Sequence, residues 1–225
     1  DESTIDIADT TITATSENSR AVGIAAVNSG NVVDVDGDIT IKTTAGERAD
    51  GMNLDNATVN VTGKLTIDAT GNVDSDKFGA QGVRLAESTA QFADVDISVK
   101  STTDGTVYGI RMLGDNNTTS TQLDISGNAD VYAETNGVAY GIIVSTGANV
   151  DLKDDLSDVG KNLKVTVKGK EKASAIRAQY GSDINVSADT DVDIIATSEN
   201  GNAYGVVNSY LTYDSANYAK ANANI

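Results

Sequence analysis

The reactive groups in this sequence are carboxylates. It holds 33 Asp and Glu against 16 Lys and Arg, and it has no His, Cys, Pro or Trp. Without His and Cys there is no imidazole base, no thiolate nucleophile and no Cys-based zinc site. Glycoside hydrolysis needs a carboxylic acid and a carboxylate roughly 5–9.5 Å apart. The turn residues Asp34, Asp36 and Asp38, or Asp94 and Asp96, can reach that spacing. The run Asp34-Val35-Asp36-Gly37-Asp38 also offers oxygen ligands of the kind Ca²⁺ takes, but no bidentate Glu follows at the spacing a Ca²⁺ loop requires. No His or Lys clearly accompanies either Asp group, and acidic turns are ordinary on a strongly acidic protein. The sequence is therefore read as non-enzymatic and without a cofactor. Ca²⁺ at this turn and a carboxylate-based polysaccharide hydrolase or lyase are kept as the alternatives.

The elements that place these groups are repeats. A small residue, any residue, Gly and then an apolar residue recur as Ala21-Val22-Gly23-Ile24, Ala49-Asp50-Gly51-Met52 and Ala80-Gln81-Gly82-Val83. The series continues with Val107-Tyr108-Gly109-Ile110, Ala139-Tyr140-Gly141-Ile142, Ala173-Ser174-Ala175-Ile176 and Ala203-Tyr204-Gly205-Val206. Successive third positions lie 28, 31, 27, 32, 34 and 30 residues apart. The near-identity of Ile12–Asn18 and Ile194–Asn200 repeats the register at an offset of 182, the same as from Gly23 to Gly205.

Each repeat holds two more strand signals of period two. One is Val33/Val35, Val59/Val61, Ala90/Phe92, Leu123/Ile125, Val150/Leu152 and Ile184/Val186. The other is Ile39/Ile41, Leu65/Ile67, Ile97/Val99, Val131/Ala133, Val165/Val167 and Val192/Ile194. Alternation of Val, Ile and Leu with Thr, Asp and Lys marks a strand with one buried face. Gly, Asn, Asp and Ser fill the gaps as turns. Three short strands in about thirty residues, with no helical period between them, fit one coil of a parallel β-helix. One coil cannot bury its own apolar face, but a stack of coils can. The fold expected is all-β, a right-handed parallel β-helix solenoid of about seven three-stranded coils. At about 4.8 Å per coil the rod would be roughly 34 Å long. Residues 1–213 form the solenoid, and 214–225 an irregular stretch or the start of a further coil. Val33, Val59, Ile67, Ile97, Ile125, Ile142, Val165, Ile184 and Ile194 are the expected core. The Gly position is expected to be a crowded corner, since Ala175 replaces Gly once.

The register turns scattered residues into candidate binding groups. Tyr108, Tyr140 and Tyr204 each precede the repeat's third position, and the first two lie in adjacent coils and should stack. Facing out they would form a platform for sugar rings, and facing in they would be packing, which is the preferred reading. Arg84 and Arg111, each one place past the repeat's apolar residue, should stack outside and pair with nearby carboxylates. The insertion from Lys153 to Asn162, with Asp154, Asp155 and Asp158, and the excursion from Gly114 to Thr119 should emerge as loops, where solenoids often bind.

The net charge of −17 opposes nucleic acid and anionic membranes as partners. No run of 18 apolar residues is present, so no helix of this chain is expected to enter a bilayer.

The three-stranded coils, free of Cys and rich in Gly, Asn, Thr and Asp, together with Gly30-Asn31-Val32-Val33-Asp34-Val35-Asp36-Gly37-Asp38-Ile39-Thr40-Ile41, resemble the passenger domains of bacterial autotransporters. The resemblance runs from Ile5 to Tyr213, and two-partner-secreted haemagglutinins are nearly as similar. It implies a secreted passenger held at the bacterial surface by an outer-membrane anchor outside this chain. It implies an adhesin that binds glycans or proteins of host or bacterial surfaces, or that self-associates. The internal strand pattern beginning at Thr4 adds the expectation of an excised segment whose bare coils associate end to end.

Overall fold

A computed structural model describes residues 3–73, 78–114, 121–145, 149–152, 162–179, 182–186, 190–209 and 222–224. Its strands are β1 (Thr4–Ile7), β2 (Thr10–Ser16), β3 (Ala21–Val35), β4 (Ile39–Ala45), β5 (Ala49–Gly71), β6 (Phe78–Ala86), β7 (Thr89–Lys100), β8 (Thr106–Leu113) and β9 (Gln122–Ile125). They continue as β10 (Ala129–Thr135), β11 (Val138–Ser145), β12 (Asn149–Leu152), β13 (Asn162–Gly169), β14 (Lys172–Gln179), β15 (Asp183–Val186), β16 (Asp191–Ser198), β17 (Asn202–Ser209) and β18 (Asn222–Asn224). No helix occurs among the described residues. Each strand pairs in parallel with the strand one coil above or below, which makes a parallel β-helix of about six turns.

Face A carries the Gly-containing arms: the starts of β3 and β5, then β6, β8, β11, β14 and β17. Face B begins with β1 and ends with β18, which pairs with β15. Face C begins with β2 and ends with β16. The inward residues of all three meet in one apolar stack that includes Ile41, Leu54, Leu65, Leu85, Ile110, Met112 and Leu123, all fully buried.

The expected core residues are buried with one exception. Ile194 is only partly buried. It lies in β16, the last arm of face C, where Val165 covers it from one side and no described strand lies on the other.

The repeat position is crowded as expected, but it lies inside the face-A strands and not at a corner of the coil. A Cβ on Gly82 would lie 2.4 Å from Ile97 Cγ2 and 2.5 Å from the carbonyl oxygen of Gly109 in the next coil. None of the recurring glycines has positive φ, whereas Gly30 (φ 81°) and Gly37 (φ 115°) in turns do. Close approach of stacked backbones, not a left-handed conformation, crowds the repeat position, although Ala175 places a methyl there in β14.

The acidic turns serve the stack. Asp38 N–H donates to Asp9 Oδ1 at 2.7 Å, and Lys64 N–H donates to Asp38 Oδ1 at 2.7 Å. Asn128 N–H donates to Asp94 Oδ1 at 2.7 Å, and Asn162 N–H to Asn128 Oδ1 at 3.1 Å. Asp34 accepts from Asn60 Nδ2 at 2.7 Å, and Asp36 from the Thr62 hydroxyl at 3.2 Å. These side chains satisfy turn amides that the ladder leaves open.

Candidate functional site

On a strand, alternate residues leave the core, and on face C the outward ones are exposed or half-exposed, as expected for a flat sheet. Face A differs. Its outward column, one place before the repeat Gly, runs Val22, Asp50, Gln81, Tyr108, Tyr140, Ser174 and Tyr204 in register. Asp50, Gln81 and Ser174 are 0% exposed and Tyr108 is 8% exposed. Tyr108 nonetheless stands apart from the apolar core cluster, as does Ile143 at 8% exposure. These outward side chains are covered by their neighbours, and at the same column the backbone of face A is drawn in toward face C, where a Cβ on Gly82 would meet Ile97 Cγ2 at 2.4 Å; we read the outer wall of face A as a shallow trough. The column forms the floor of a trough along the rod.

The trough walls are cationic. Arg20, Arg48, Arg84, Arg111 and Arg177 are all the arginines of the chain, and each lies three places before or two places after the repeat's third position. Lys172 joins them with its ammonium 5.6 Å from the Tyr140 ring centroid and 5.9 Å from that of Tyr204. The described face-A arms hold only two acidic residues, Asp50 and Asp55. Both are paired: Asp50 accepts from Arg20 Nε at 2.6 Å and from Arg48 Nε at 2.8 Å, and Asp55 lies 3.5 Å from Arg84 Nη1. A protein of net charge −17 thus carries one outer strip on which cations outnumber carboxylates.

Asp50 is the anchor of the first two coils. Its carboxylate is fully buried and holds two guanidinium groups. Breaking a buried pair by removing the charge of one partner costs about 3–5 kcal/mol, reduced here because Arg20 is 40% exposed. Asp50→Asn should therefore cost about 2 kcal/mol. A chemical-denaturation midpoint equal to that of the parent would show that the pair contributes nothing.

Arg84 and Arg111 are register partners, as their positions implied. Their chemistry differs from the expected carboxylate pairing of both. Arg84 reaches Asn53 Oδ1 at 3.1 Å as well as Asp55. Arg111 instead lies 4.5 Å from the Phe78 ring centroid and 4.8 Å from that of Tyr108, with no carboxylate within 4.0 Å among the described residues. Such cation–π contacts are worth about 0.5–2 kcal/mol each. Burial lowers the pKa of Arg111 and raises that of Tyr108 from their ordinary values.

Tyr108 and Tyr140 stack at 5.2 Å with an interplanar angle of 8°. They pack on each other, with the Arg111 guanidinium 4.8 Å from the Tyr108 ring centroid. Tyr204 is 37% exposed and separated from Tyr140 by Ser174 in the column. Asp154, Asp155 and Asp158, and most of the Gly114–Thr119 excursion, lie outside the described residues.

No family model, curated protein or solved structure matches this chain. The site is read from its own geometry. Two groups on the trough floor lack partners: both amide atoms of Gln81 and the hydroxyl of Ser174. A third unpartnered hydroxyl, that of Thr43, points into the coil at the core. Among the described residues no three carboxylates gather as a metal site.

Face C carries a second polar patch. Tyr132 lies between Lys100 and Lys168, at 5.6 and 5.5 Å from ammonium to ring centroid. Its hydroxyl donates to Glu134 Oε2 at 2.6 Å. Burial and that bond push the phenol up to about 12. Lys64–Asp96 at 2.8 Å and Lys164–Asp130 at 3.3 Å form an exposed strip on the same face. These groups neutralise one another, whereas in the trough Arg111 and Lys172 lie against rings and, among the described residues, Gln81 and Ser174 have no hydrogen-bond partner.

Asp50, Phe78, Gln81, Ser174, Lys172 and three of the arginines were not singled out by their sequence motifs. The signal that finds the arginines is their constant offset from the repeat position. Nothing in the sequence marks Gln81 or Ser174, because outward positions are ordinarily exposed.

Proposed function

We propose that this chain is a binding module of a bacterial surface adhesin, of the autotransporter or two-partner-secreted kind, and that face A is its binding face. The observation that supports this reading is the trough: every arginine of an acidic chain lines one concave strip. From the Arg48 arm to the Tyr204 arm the strip spans five coil spacings, about 24 Å. A site of that shape suits an extended ligand, with binding energy spread along a polar face rather than concentrated in a deep pocket. The module then acts by attachment to cell-surface glycans or proteins, or to other copies of itself, outside the cell.

A glycan array and a cell-aggregation assay test the reading together. The expected result is attachment or aggregation by the parent chain that is lost when Arg84, Arg111 and Arg177 are all changed to Gln. A triple variant that attaches and aggregates like the parent would move binding away from face A. Incubation with polyuronates and other common polysaccharides should release no product. Turnover that disappears on a single Asp→Asn change would replace the adhesin with a carboxylate-based polysaccharide hydrolase or lyase.

A further inference from the structure

Three observations in the trough point to one ligand chemistry. The first is Gln81. It is fully buried, and neither its Nε2 nor its Oε1 has a hydrogen-bond partner. It occupies the floor between Asp50, whose carboxylate is paired, and Tyr108. Sealing both a donor and an acceptor without partners is costly, and a ligand that supplies both recovers that cost.

The second is Arg111. It belongs to the coil of Tyr108, yet its guanidinium reaches back to Phe78 in the coil of Gln81. Among the described residues its contacts are the two rings, with no carboxylate within 4.0 Å. A carboxylate would draw it out of the Phe78–Tyr108 slot, since a charge-assisted hydrogen bond is the stronger contact.

The third is Ser174. Its hydroxyl is fully buried and unpartnered in the same column. Three coil spacings separate it from Gln81, about 14 Å. Tyr108 and Tyr140 lie between them and stack on each other. Two unpartnered floor groups that far apart call for a chain, not a single small ion.

We propose that the trough binds a uronic-acid polysaccharide, with one carboxylate seated at Arg111 and Gln81 and the chain running along the column to Ser174. This rests on the reading of face A as the binding face. The carboxylate accepts from the guanidinium and from Gln81 Nε2. Gln81 Oε1 needs a donor, and a hydroxyl of the same sugar supplies it. A bare sulfate has only acceptors and leaves Oε1 unpaired. An acidic peptide is the weaker fit, because the backbone groups of face A are committed to the parallel ladder and offer no edge for strand addition. The charge of the whole protein opposes a polyanion at long range. Within a Debye length of about 10 Å at moderate salt, the arginine strip decides.

Calorimetry on the full chain tests this with four probes: a polygalacturonate oligomer, its methyl-esterified form, dextran sulfate and poly-glutamate. Binding is expected for the oligouronate and not for the ester, which keeps the hydroxyls and loses the charge. Arg111→Gln and Gln81→Leu should each weaken binding roughly tenfold or more. Gln81→Leu replaces a sealed polar group with an apolar one of similar size, so its melting temperature should equal or exceed that of the parent. That combination separates a lost contact from a lost fold. Lys164→Gln on face C should bind like the parent. Equal binding of acid and ester, or undiminished binding by both trough variants, overturns the seat. Preference for dextran sulfate would mean a simple anion site, and preference for poly-glutamate a peptide site. If the chain attaches to cells through face A but binds no uronate, the seat fails and the adhesin reading stands. If the triple arginine variant still attaches to cells, that reading fails as well.

Discussion

Replacing Ile125 with Asp is expected to destabilise the helix by about 5 kcal/mol, enough to remove several coils from the folded state at room temperature. Ile125 is 1% exposed and stacks in register between Phe92 and Leu152. The substitution deletes a buried branched side chain, which alone costs about 2–5 kcal/mol. It then places a carboxyl where no described polar partner lies, adding a desolvation cost of a few kcal/mol. Relaxation of the carboxyl toward the coil exterior offsets part of the sum. For a chain of this size 1 kcal/mol moves the melting temperature by roughly 2–4 °C, so a drop of about 10–20 °C should be visible by circular dichroism. Unchanged melting would mean that the register of face B is wrong.

The second large effect belongs to the repeat position of face A. Gly82→Ala puts a Cβ 2.4 Å from Ile97 Cγ2 and 2.5 Å from the Gly109 carbonyl oxygen. The methyl can turn, but the carbonyl is backbone and is fixed by the ladder above it. Overpacking of this kind costs about 1–3 kcal/mol, and the backbone contact puts this case near 3. The same substitution at Gly205 makes a control, since its nearest neighbour would be Ile194 Cγ2 at 3.7 Å. There the smaller entropy of the unfolded chain should leave stability unchanged or raised by about 0.5 kcal/mol. Equal melting temperatures for Gly82→Ala and Gly205→Ala would refute the account of the repeat glycine as a spacer between coils.

Several features could be read directly along the chain. The alternation at Ile39/Ile41, Leu65/Ile67 and Ile97/Val99 specifies strands with one apolar side, and the even spacing of the Ala-x-Gly tetrads specifies that they stack. Both are local properties, carried by side-chain type and by distance along the chain, so they survive without coordinates. The stacking of Tyr108 on Tyr140 and of Arg84 beside Arg111 follows from the same register. The partial burial of Ile194 does not follow, because it depends on which arm ends face C, and the residue type is the same in the middle and at the end of a stack.

The sequence by itself determined the fold class, the three faces, most of the core and the constant offset of the arginines from the repeat position. Tertiary structure alone decided that face A is concave on its outside. Alternation tells only whether a residue points in or out, and an outward residue is read as exposed. Curvature of the sheet depends on how all the arms bend together at the glycine column, a property of no single repeat. On that outer side Asp50, Gln81 and Ser174 are buried, and Arg111 meets aromatic rings instead of a carboxylate. The chemistry of the candidate site arises from that bend.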